Sequence, residues 1–550
     1  MDASPPHPGP AAIYTAAMPE SDEIRSRLAA LSDPAAFPDG PREVQVVQTH
    51  ASMVFLTEKH AWKVKKAVDL GFLDFTRLED RRRFCEEEVR LNRRTAPEVY
   101  LGVDLVVEGD DGRLRVGWAE SPPPGRVVDY AVRMRRLSAE GMLDRRLGRG
   151  DLALADLSRL AEAIADFHRR CPTGAGIDEH GGPEGMRRQF EDNLARLRPF
   201  AGEGEQCTMP EPLWALLQER GLERISEEEP RLRRRVAEGR VREGHGDLHS
   251  GNIATVGGRL VAFDAIEFSR PIRCRDTACE IAFLGMDLEL RRRPDLAAWW
   301  SRAYIRASGD REVAALQPLF RAHYAIVRGL VESIRAAQPE VSGSERRSSR
   351  LLAGRYLDAA ACLLVRPALV LLCGLPGTGK STVAAELAEP LGAALLRSDA
   401  VRKRRAGIAA TVRGDGDLYA RERTLDTYAA IEAAAEAAIA RGRSAVIDAT
   451  LPSRELRAPL LRMAERSGRP WCLVEVVCPP EEVRRRLARR ALDPSEVSDA
   501  DYRVHQEAAS RFEPPDEIPP RRRLRALSGA PGTLRAVLAA LRGGITSARP

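Results

Sequence analysis

One stretch of this 550-residue chain constrains its fold more than any other: residues 367–389, PALVLLCGLPGTGKSTVAAELAE. An unbroken apolar run reads as a strand buried on both faces of a parallel sheet. It leads straight into G-x-x-x-x-G-K-S and then a helical pattern. Gly374, Gly377 and Gly379 leave the backbone free to wrap phosphate groups with its N–H donors, and the following helix adds its positive end. Lys380 is spaced to reach the β- and γ-phosphates of a nucleotide, and Ser381, with Thr382 beside it, to offer a hydroxyl to Mg²⁺. A strand of this kind needs parallel neighbours. The strand–loop–helix texture that continues to about residue 545 supplies them, so the C-terminal part reads as a doubly wound α/β domain.

The segments downstream add chemistry. AALLRSDAVRKRR reads as a second strand ending at Ser398-Asp399, with Arg402 on the helix start that follows. A carboxylate there can accept a proton from a substrate hydroxyl, and an arginine one turn on can clamp a polar or anionic substrate. SAVIDAT is a third strand; its terminal Asp448 suits the Mg²⁺ shell or the substrate. VVCPPEEVRRRLARR puts Arg486 and Arg490 on one helix face, where Arg490 is a candidate lid over the γ-phosphate. A mechanical ATPase wants Asp-Glu at the end of its third strand to polarise water. This chain has Asp448-Ala449, which favours transfer to a bound hydroxyl.

This region, about 367–545, resembles the small kinases of the zeta-toxin, polynucleotide-kinase and gluconate-kinase type, often grouped with AAA-family ATPases. The resemblance implies that Lys380 and Ser381 bind nucleotide, that Asp399 is the general base and that Arg402 contacts substrate.

The N-terminal half has a different texture. Residues 1–40 read as a disordered or weakly ordered Pro/Ala-rich tail. VQVVQTH, MVFLT and AWKVKKAV then alternate as three antiparallel strands, followed by a charged helix over 78–94 and further strand patterns to residue 137. From there to about 364 the pattern is helical, apart from a compact insert at 241–268. The expected organisation is thus a β-rich lobe (41–137), a helical lobe (138–340), a helical linker (341–366) and the α/β domain (367–545).

That insert, REGHGDLHSGNIATVGGRLVAFDAIEF, holds H-x-D-x-x-x-x-N and, a dozen residues on, a strand ending in aspartate. The spacing fits phosphoryl transfer. Asp247 would take the acceptor hydroxyl's proton while Asn252 and Asp264 present oxygens to Mg²⁺ on the ATP phosphates. His245 would brace the loop. Such a site also needs a strand lysine paired with a helix glutamate. In HAWKVKK, Lys63 is the first choice and Lys65, on the same strand face, the alternative. Glu87 or Glu88 is the partner, with Glu88 the working choice.

Here the chain resembles the aminoglycoside phosphotransferase family of kinase-like folds, over about 41–340. HGDLHSGN and FDAIEF are similar to its catalytic-loop and metal-loop motifs, and FHRR at His168 and RDTACEIAFL at Asp276 to its structural helices. Two departures stand out. A Gly-rich phosphate loop is absent from QTHASMV, leaving Ser52 and backbone amides to serve, and the motif around Asp264 is FDAIEF where the family's resistance enzymes have a shorter metal-loop signature. The tandem of the two domains itself resembles a family of two-domain bacterial proteins. It implies an ATP- and Mg²⁺-dependent phosphotransferase with two nucleotide sites, acting on small-molecule hydroxyls. The alternatives are a nucleotide sensor in which one half binds ATP without turnover, and a C-terminal polynucleotide 5′-hydroxyl kinase.

Composition narrows the setting. No stretch reaches the roughly 20 apolar residues of a membrane span. Nine cysteines, an odd number with no C-x-x-C pair, fit core thiols in a reducing cytoplasm and neither a disulfide framework nor a zinc site. Basic runs such as 81–83 and 233–235 lie close to acidic runs and the net charge is only +6, so solvated helix faces explain them better than nucleic acid does. Of the 86 basic residues only six are lysine, at 59, 63, 65, 66, 380 and 403. They gather where a compact ammonium has to fit among phosphates.

Overall fold

Alternation along residues 45–65 builds the first sheet. Strands β1 (Gln45–Gln48), β2 (Ser52–Leu56) and β3 (His60–Lys65) pair antiparallel. They are joined by β4 (Tyr100–Glu108), β5 (Leu114–Gly117) and β6 (Arg126–Arg135) in the order β1-β2-β3-β6-β4-β5. The computed structural model describes residues 22–49, 51–69, 73–339, 341–409, 416–490, 501–530 and 532–542. The chain divides into two units, one of residues up to Met209 with Gly221–Leu357, the other of Pro210–Arg220 with the chain from Asp358 on.

In the first unit, β3 splits its side chains between two environments, as a strand with period two must. Trp62 and Val64 are fully buried with Phe37, Phe55 and Met53 in one core. Ala61, Lys63 and Lys65 point the other way, toward the helix Leu78–Asn92. The Trp62 indole donates to Asp104 at 3.1 Å, so the large buried side chain also has its polar atom satisfied.

Residues 22–40 correct one expectation. The helix Asp22–Leu31 buries Ile24 and Leu31, and the Phe37 ring packs tilted 5.0 Å from Trp62, so this segment closes the core of the sheet. Its apolar residues are too widely spaced among charged ones to stand out without the sheet they cover. The four lysines between residues 59 and 66 do not all share one strand. Lys59 lies exposed in the turn before β3 and Lys66 lies just past its end.

The rest of this unit is helical, with the expected insert formed by β7 (Val241–Glu243), β8 (Ile253–Val256) and β9 (Arg259–Ala262), and β10 (Cys274–Asp276) paired with β7. The helices Thr277–Leu290 and Val313–Ala337 pack nearly their whole length into the interior. This is a kinase-like bilobal arrangement of a small β lobe and a helical lobe.

The second unit is a five-stranded parallel sheet of β11 (Leu369–Cys373), β12 (Ala394–Arg397), β13 (Ala445–Asp448), β14 (Trp471–Val477) and β15 (Arg523–Leu527). Its order is β12-β13-β11-β14-β15, a doubly wound sheet with the glycine loop after its central strand. The helix Gly343–Leu364 falls where the linker was expected. Leu357 covers Gly329 within the first unit, and Asp358 accepts from Arg535 at 2.8 Å within the second.

Candidate functional site

Three carboxylates hold Lys63 and Lys65 in the first unit. Lys63 Nζ donates to Glu88 Oε1 at 2.8 Å and to Asp264 Oδ1 at 2.6 Å. Lys65 Nζ donates to Glu88 Oε2 at 2.8 Å and also to Glu267. Glu88 therefore serves both lysines. Glu87, the alternative, turns out to Arg90 at 2.6 Å and to Arg273 at 3.0 Å. Helix phase decides between them: Cys85, Glu88, Val89 and Asn92 share the buried face of Leu78–Asn92, and Glu87 sits off it. Burial on its own would strip the Lys63 proton, but the carboxylates of Asp264 and Glu88 outweigh it and hold the ammonium well above the ordinary lysine range.

Asp264 follows β9 with a left-handed backbone, φ 63°. Few residues other than glycine adopt that conformation, and the surroundings impose it here. The Tyr100 hydroxyl accepts from the Asp264 N–H at 3.0 Å, and Asn92 Oδ1 from the Ala265 N–H at 2.8 Å. Burial works to raise the Asp264 carboxyl, but the adjoining Lys63 ammonium prevails and keeps it below the usual carboxylate range.

Asp247 lies in the loop between β7 and β8. Its carboxylate accepts from Asn252 Nδ2, and His249 Nε2 lies 3.4 Å from it. The loop is held from behind by the helix Thr277–Leu290. Glu280 accepts from the backbone N–H groups of His245 and Gly246 and pairs with His168 at 2.8 Å, while Asp287 accepts from the Ser250 N–H at 3.0 Å. His168 meets Tyr304 at 2.6 Å on its other nitrogen. Burial favours the neutral form of His245, which lies fully inside the loop.

Beside Asp247 opens a cavity of about 240 Å³, walled by Ile266, Phe268, Phe283 and Tyr324 and reached by Arg275 and His323. Ile266 and Phe268 also wall a much smaller void lined by Ser52, Lys63 and Asp264. The void beside Lys63 and Asp264 and the cavity beside Asp247 thus share Ile266 and Phe268 in their linings.

In the second unit, Gly374, Gly377 and Gly379 have φ of 132°, 83° and 92°. At Gly379 a Cβ would sit 2.1 Å from Ser528 Oγ and 2.7 Å from Arg486 Nη1, so neither the torsion nor the space admits a side chain. Lys380 Nζ donates to the Leu375 carbonyl at 2.8 Å, folded back over the loop. Ser381 Oγ donates to Asp448 Oδ2 at 2.7 Å, and Thr382 is exposed in the same helical turn. β11 and β13 are parallel neighbours with Leu372 beside Asp448, which brings that carboxylate to the loop.

Asp399 does not stand at a strand tip as expected. β12 ends at Arg397, and Asp399 occupies the first turn of the helix Ser398–Arg405, where Arg402 Nη1 donates to it at 3.0 Å. Arg402 also lies over the Tyr419 ring at 4.8 Å. The proposed base and substrate clamp are therefore paired with each other. The side chain of Arg490, the last residue of the helix Pro480–Arg490, falls outside the described residues. Arg486, one turn earlier, donates to the Thr378 carbonyl at 3.3 Å and to Ser528 Oγ at 3.1 Å, over the glycine loop.

Residues 369–515 match the family model described as AAA domain, AAA_33, a span that includes the glycine loop, Asp399, Arg402 and Asp448. Uncharacterized protein Rv2004c of Mycobacterium tuberculosis (strain ATCC 25618 / H37Rv) is 32% identical over 427 residues, which cover 76% of this chain and 81% of that protein. Uncharacterized protein Mb2027c of Mycobacterium bovis matches with the same figures. The chain belongs to the family of these mycobacterial proteins. Among solved structures, a choline/ethanolamine kinase family protein from Mesorhizobium loti is similar over 61% of this chain and 98% of its own, at 14% identity and a TM-score of 0.36. A gluconokinase from Sinorhizobium meliloti 1021 is similar over 32% of this chain and 91% of its own, at 21% identity and a TM-score of 0.22.

Both sites fit a Mg²⁺-bound nucleotide. Among the described residues no group of three or more His, Cys, Asp or Glu side chains stands ready to cage a metal. Mg²⁺ needs no such cage, since one or two carboxylates, water and the phosphates themselves complete its shell. Asn252 with Asp264, and Ser381 with Asp448, have the oxygen donors for that role, and the Gly379 cradle that a Cβ would fill suits a phosphate.

Sequence reasoning passed over several residues of these sites. Glu267 is the clearest, because two lysines buried on one strand face need more than one carboxylate, and FDAIEF contains the second. Arg275 and His323 come from distant segments and carried no local signal.

Proposed function

We propose that this chain is an ATP-dependent phosphotransferase with two nucleotide sites, one in residues 41–340 and one in residues 367–545, each moving the γ-phosphoryl of ATP to a small-molecule hydroxyl. One observation carries the reading for the first site. Asp247 lines a ligand-sized cavity, and Lys63 and Asp264 line an adjoining void that shares Ile266 and Phe268 with it. Donor phosphates and acceptor hydroxyl then meet at Asp247.

In this mechanism Lys63, fixed by Glu88, holds the phosphates of ATP. Asp247 takes the proton of the acceptor hydroxyl as its oxygen bonds to the γ-phosphorus, and the bond to the bridging oxygen breaks to release ADP. Asn252 and Asp264 would hold Mg²⁺, which when bound neutralises charge on the phosphate oxygens. Asn252 also orients Asp247 through their hydrogen bond. In the second site Lys380 and the glycine-loop amides hold the phosphates, Ser381 and Asp448 are the metal-side oxygens, Asp399 is the base, and Arg402 holds Asp399 in place until an acceptor displaces it. Arg486 reaches the glycine loop through the Thr378 carbonyl, with Arg490 one turn on.

The test uses the full chain with ATP and a metabolite extract, scored by mass spectrometry for additions of about 80 Da, one phosphoryl group. Asp247→Asn is expected to remove one set of products and Asp399→Asn another, with nucleotide binding intact in both. If no product depends on either aspartate, the two-kinase reading fails.

A further inference from the structure

We infer that the acceptor of the first site is an anionic alcohol, a small molecule with a hydroxyl and a carboxylate or phosphate, whose anion is read by Arg275 and whose polar body is read by His323. This rests on the phosphotransferase reading for its chemistry, but the pocket's preference for an anion is a matter of binding and can be measured apart from it.

The first observation is a guanidinium without a counter-charge. Arg275 is only 8% exposed and lines the cavity, yet its Nε donates to the Ile272 carbonyl at 3.0 Å and, among the described residues, it makes no ion pair. A buried charge is costly unless paired. Other buried arginines of the same unit obey that rule: Arg235 lies 2.7 Å from Asp276 and 2.8 Å from Asp310, and Arg273 lies 3.1 Å from Glu243. Arg275 directly precedes Asp276, the N-cap of the helix Thr277–Leu290, so its place is fixed by the same turn that anchors the Asp247 loop. An anionic ligand in the cavity supplies the missing partner.

Independent of this is His323. It is fully buried on the helix Val313–Ala337, lines the same cavity, and neither ring nitrogen has a hydrogen-bond partner. Burial, with the nearby Arg275 charge, pushes its pKa down to about 3, so the ring is neutral at physiological pH. A neutral imidazole offers one donor and one acceptor, so its N–H can donate to a hydroxyl's or an anion's oxygen. The wall between these groups is rigid, with Tyr324 stacked on Phe283 at 4.1 Å and 13°. The carboxylates lining the cavity are Asp247, which the reaction needs, and Asp192, exposed on the helix Pro183–Leu197. A cationic acceptor would therefore meet Arg275 at the buried end with no buried acid to spare.

The test titrates the full chain, loaded with Mg²⁺ and AMP-PNP, with D-glycerate, glycerol 3-phosphate, glycerol and ethanolamine by calorimetry. At least one anionic probe is expected to bind about tenfold or more tighter than glycerol and ethanolamine, about 1.4 kcal/mol. The two anions separate a carboxylate-reading pocket from a phosphate-reading one. Arg275→Gln is expected to erase the preference. Arg275→Lys, which keeps the charge, is expected to retain part of it and serves where the glutamine variant does not fold. His323→Phe is expected to weaken the hydroxyl-bearing anions several-fold while leaving their advantage over ethanolamine. Equal or tighter binding of ethanolamine or glycerol, no binding of either anion, or a preference that survives Arg275→Gln overturns the inference. Anion preference without any Asp247-dependent phosphorylation leaves the pocket assignment standing and sinks the phosphotransferase reading instead.

Discussion

Lys63 and Lys65 stand two residues apart on one strand, and their ammonium groups are closed in by Glu88, Asp264 and Glu267. Two cations against three anions is a network in which Glu88 alone touches both lysines. Glu88→Gln keeps the shape and removes the shared charge. Breaking a buried pair from one side leaves an uncompensated charge inside and costs about 3–5 kcal/mol. The expected result is a denaturant midpoint lowered by about that free energy, together with a raised KM for ATP at the first site. A midpoint shift below about 1 kcal/mol would mean that Glu267 and Asp264 alone neutralise both lysines. Much of this cluster was legible in HAWKVKK, because strand alternation puts residues 63 and 65 on one face. Glu88 was not separable from Glu87, since three glutamates run together at 86–88 and only packing sets the phase of the helix. The buried state of Lys66 and Lys403 likewise follows from tertiary packing that no local pattern announces.

At the scale of elements, the helix Thr277–Leu290 grips the Asp247 loop at both ends, through Glu280 near its start and Asp287 two turns later. The segment RDTACEIAFL resembled a structural helix of the kinase-like family, and its part in the site lies in the seven-residue spacing that aims two carboxylates at one loop. Glu280→Gln keeps the bond length but weakens acceptance from the His245 and Gly246 amides and from His168. A displacement of an ångström at a reacting group costs about a hundredfold. The variant is therefore expected to lose ten- to a hundredfold in kcat with little change in the KM for ATP, since Lys63 and Asp264 are held elsewhere. A rise in KM with kcat preserved would show that Glu280 supports the nucleotide side instead. The glycine loop offers the parallel case. Gly379→Ala puts a methyl group against Ser528 and Arg486 at a φ that alanine resists, and it is expected to weaken ADP binding at the second site at least tenfold in equilibrium titration while leaving Asp247-dependent products intact. That loop was readable because its chemistry is contiguous. The acceptor pocket was not, because Asp247, Arg275 and His323 come together only through the fold.

Across the whole molecule, charge burial separates the acid responses of the two units. In the first, His323 is held neutral by burial, with a folded pKa of about 3 against an ordinary value of 6.5. His245 is shifted the same way. Between those values the unfolded chain binds more protons than the folded one, so stability is fully present above about 6.5 and falls as the pH drops through the window. One full proton corresponds to about 1.4 kcal/mol per pH unit. Glu267 works in the opposite sense, because burial raises its carboxyl and the folded state then gains protons first. The clean measurement is therefore a difference. His323→Gln removes one titrating group and leaves the others, so the free energy separating wild type from variant is expected to move against the wild type as the pH falls from 7 to 4. The second unit supplies the internal control. Its buried Arg457 holds Glu517 below the ordinary carboxylate range, and that contribution is present above about 4.5 and is lost only beneath it. Scanning calorimetry at half-unit steps of pH should show the first unit's transition shifting with His323→Gln and the second unit's transition indifferent to it. A wild-type-to-variant difference that stays constant from pH 7 to 4 would show that His323 titrates in the folded protein as it does in the unfolded chain, so that burial does not hold it neutral through this window.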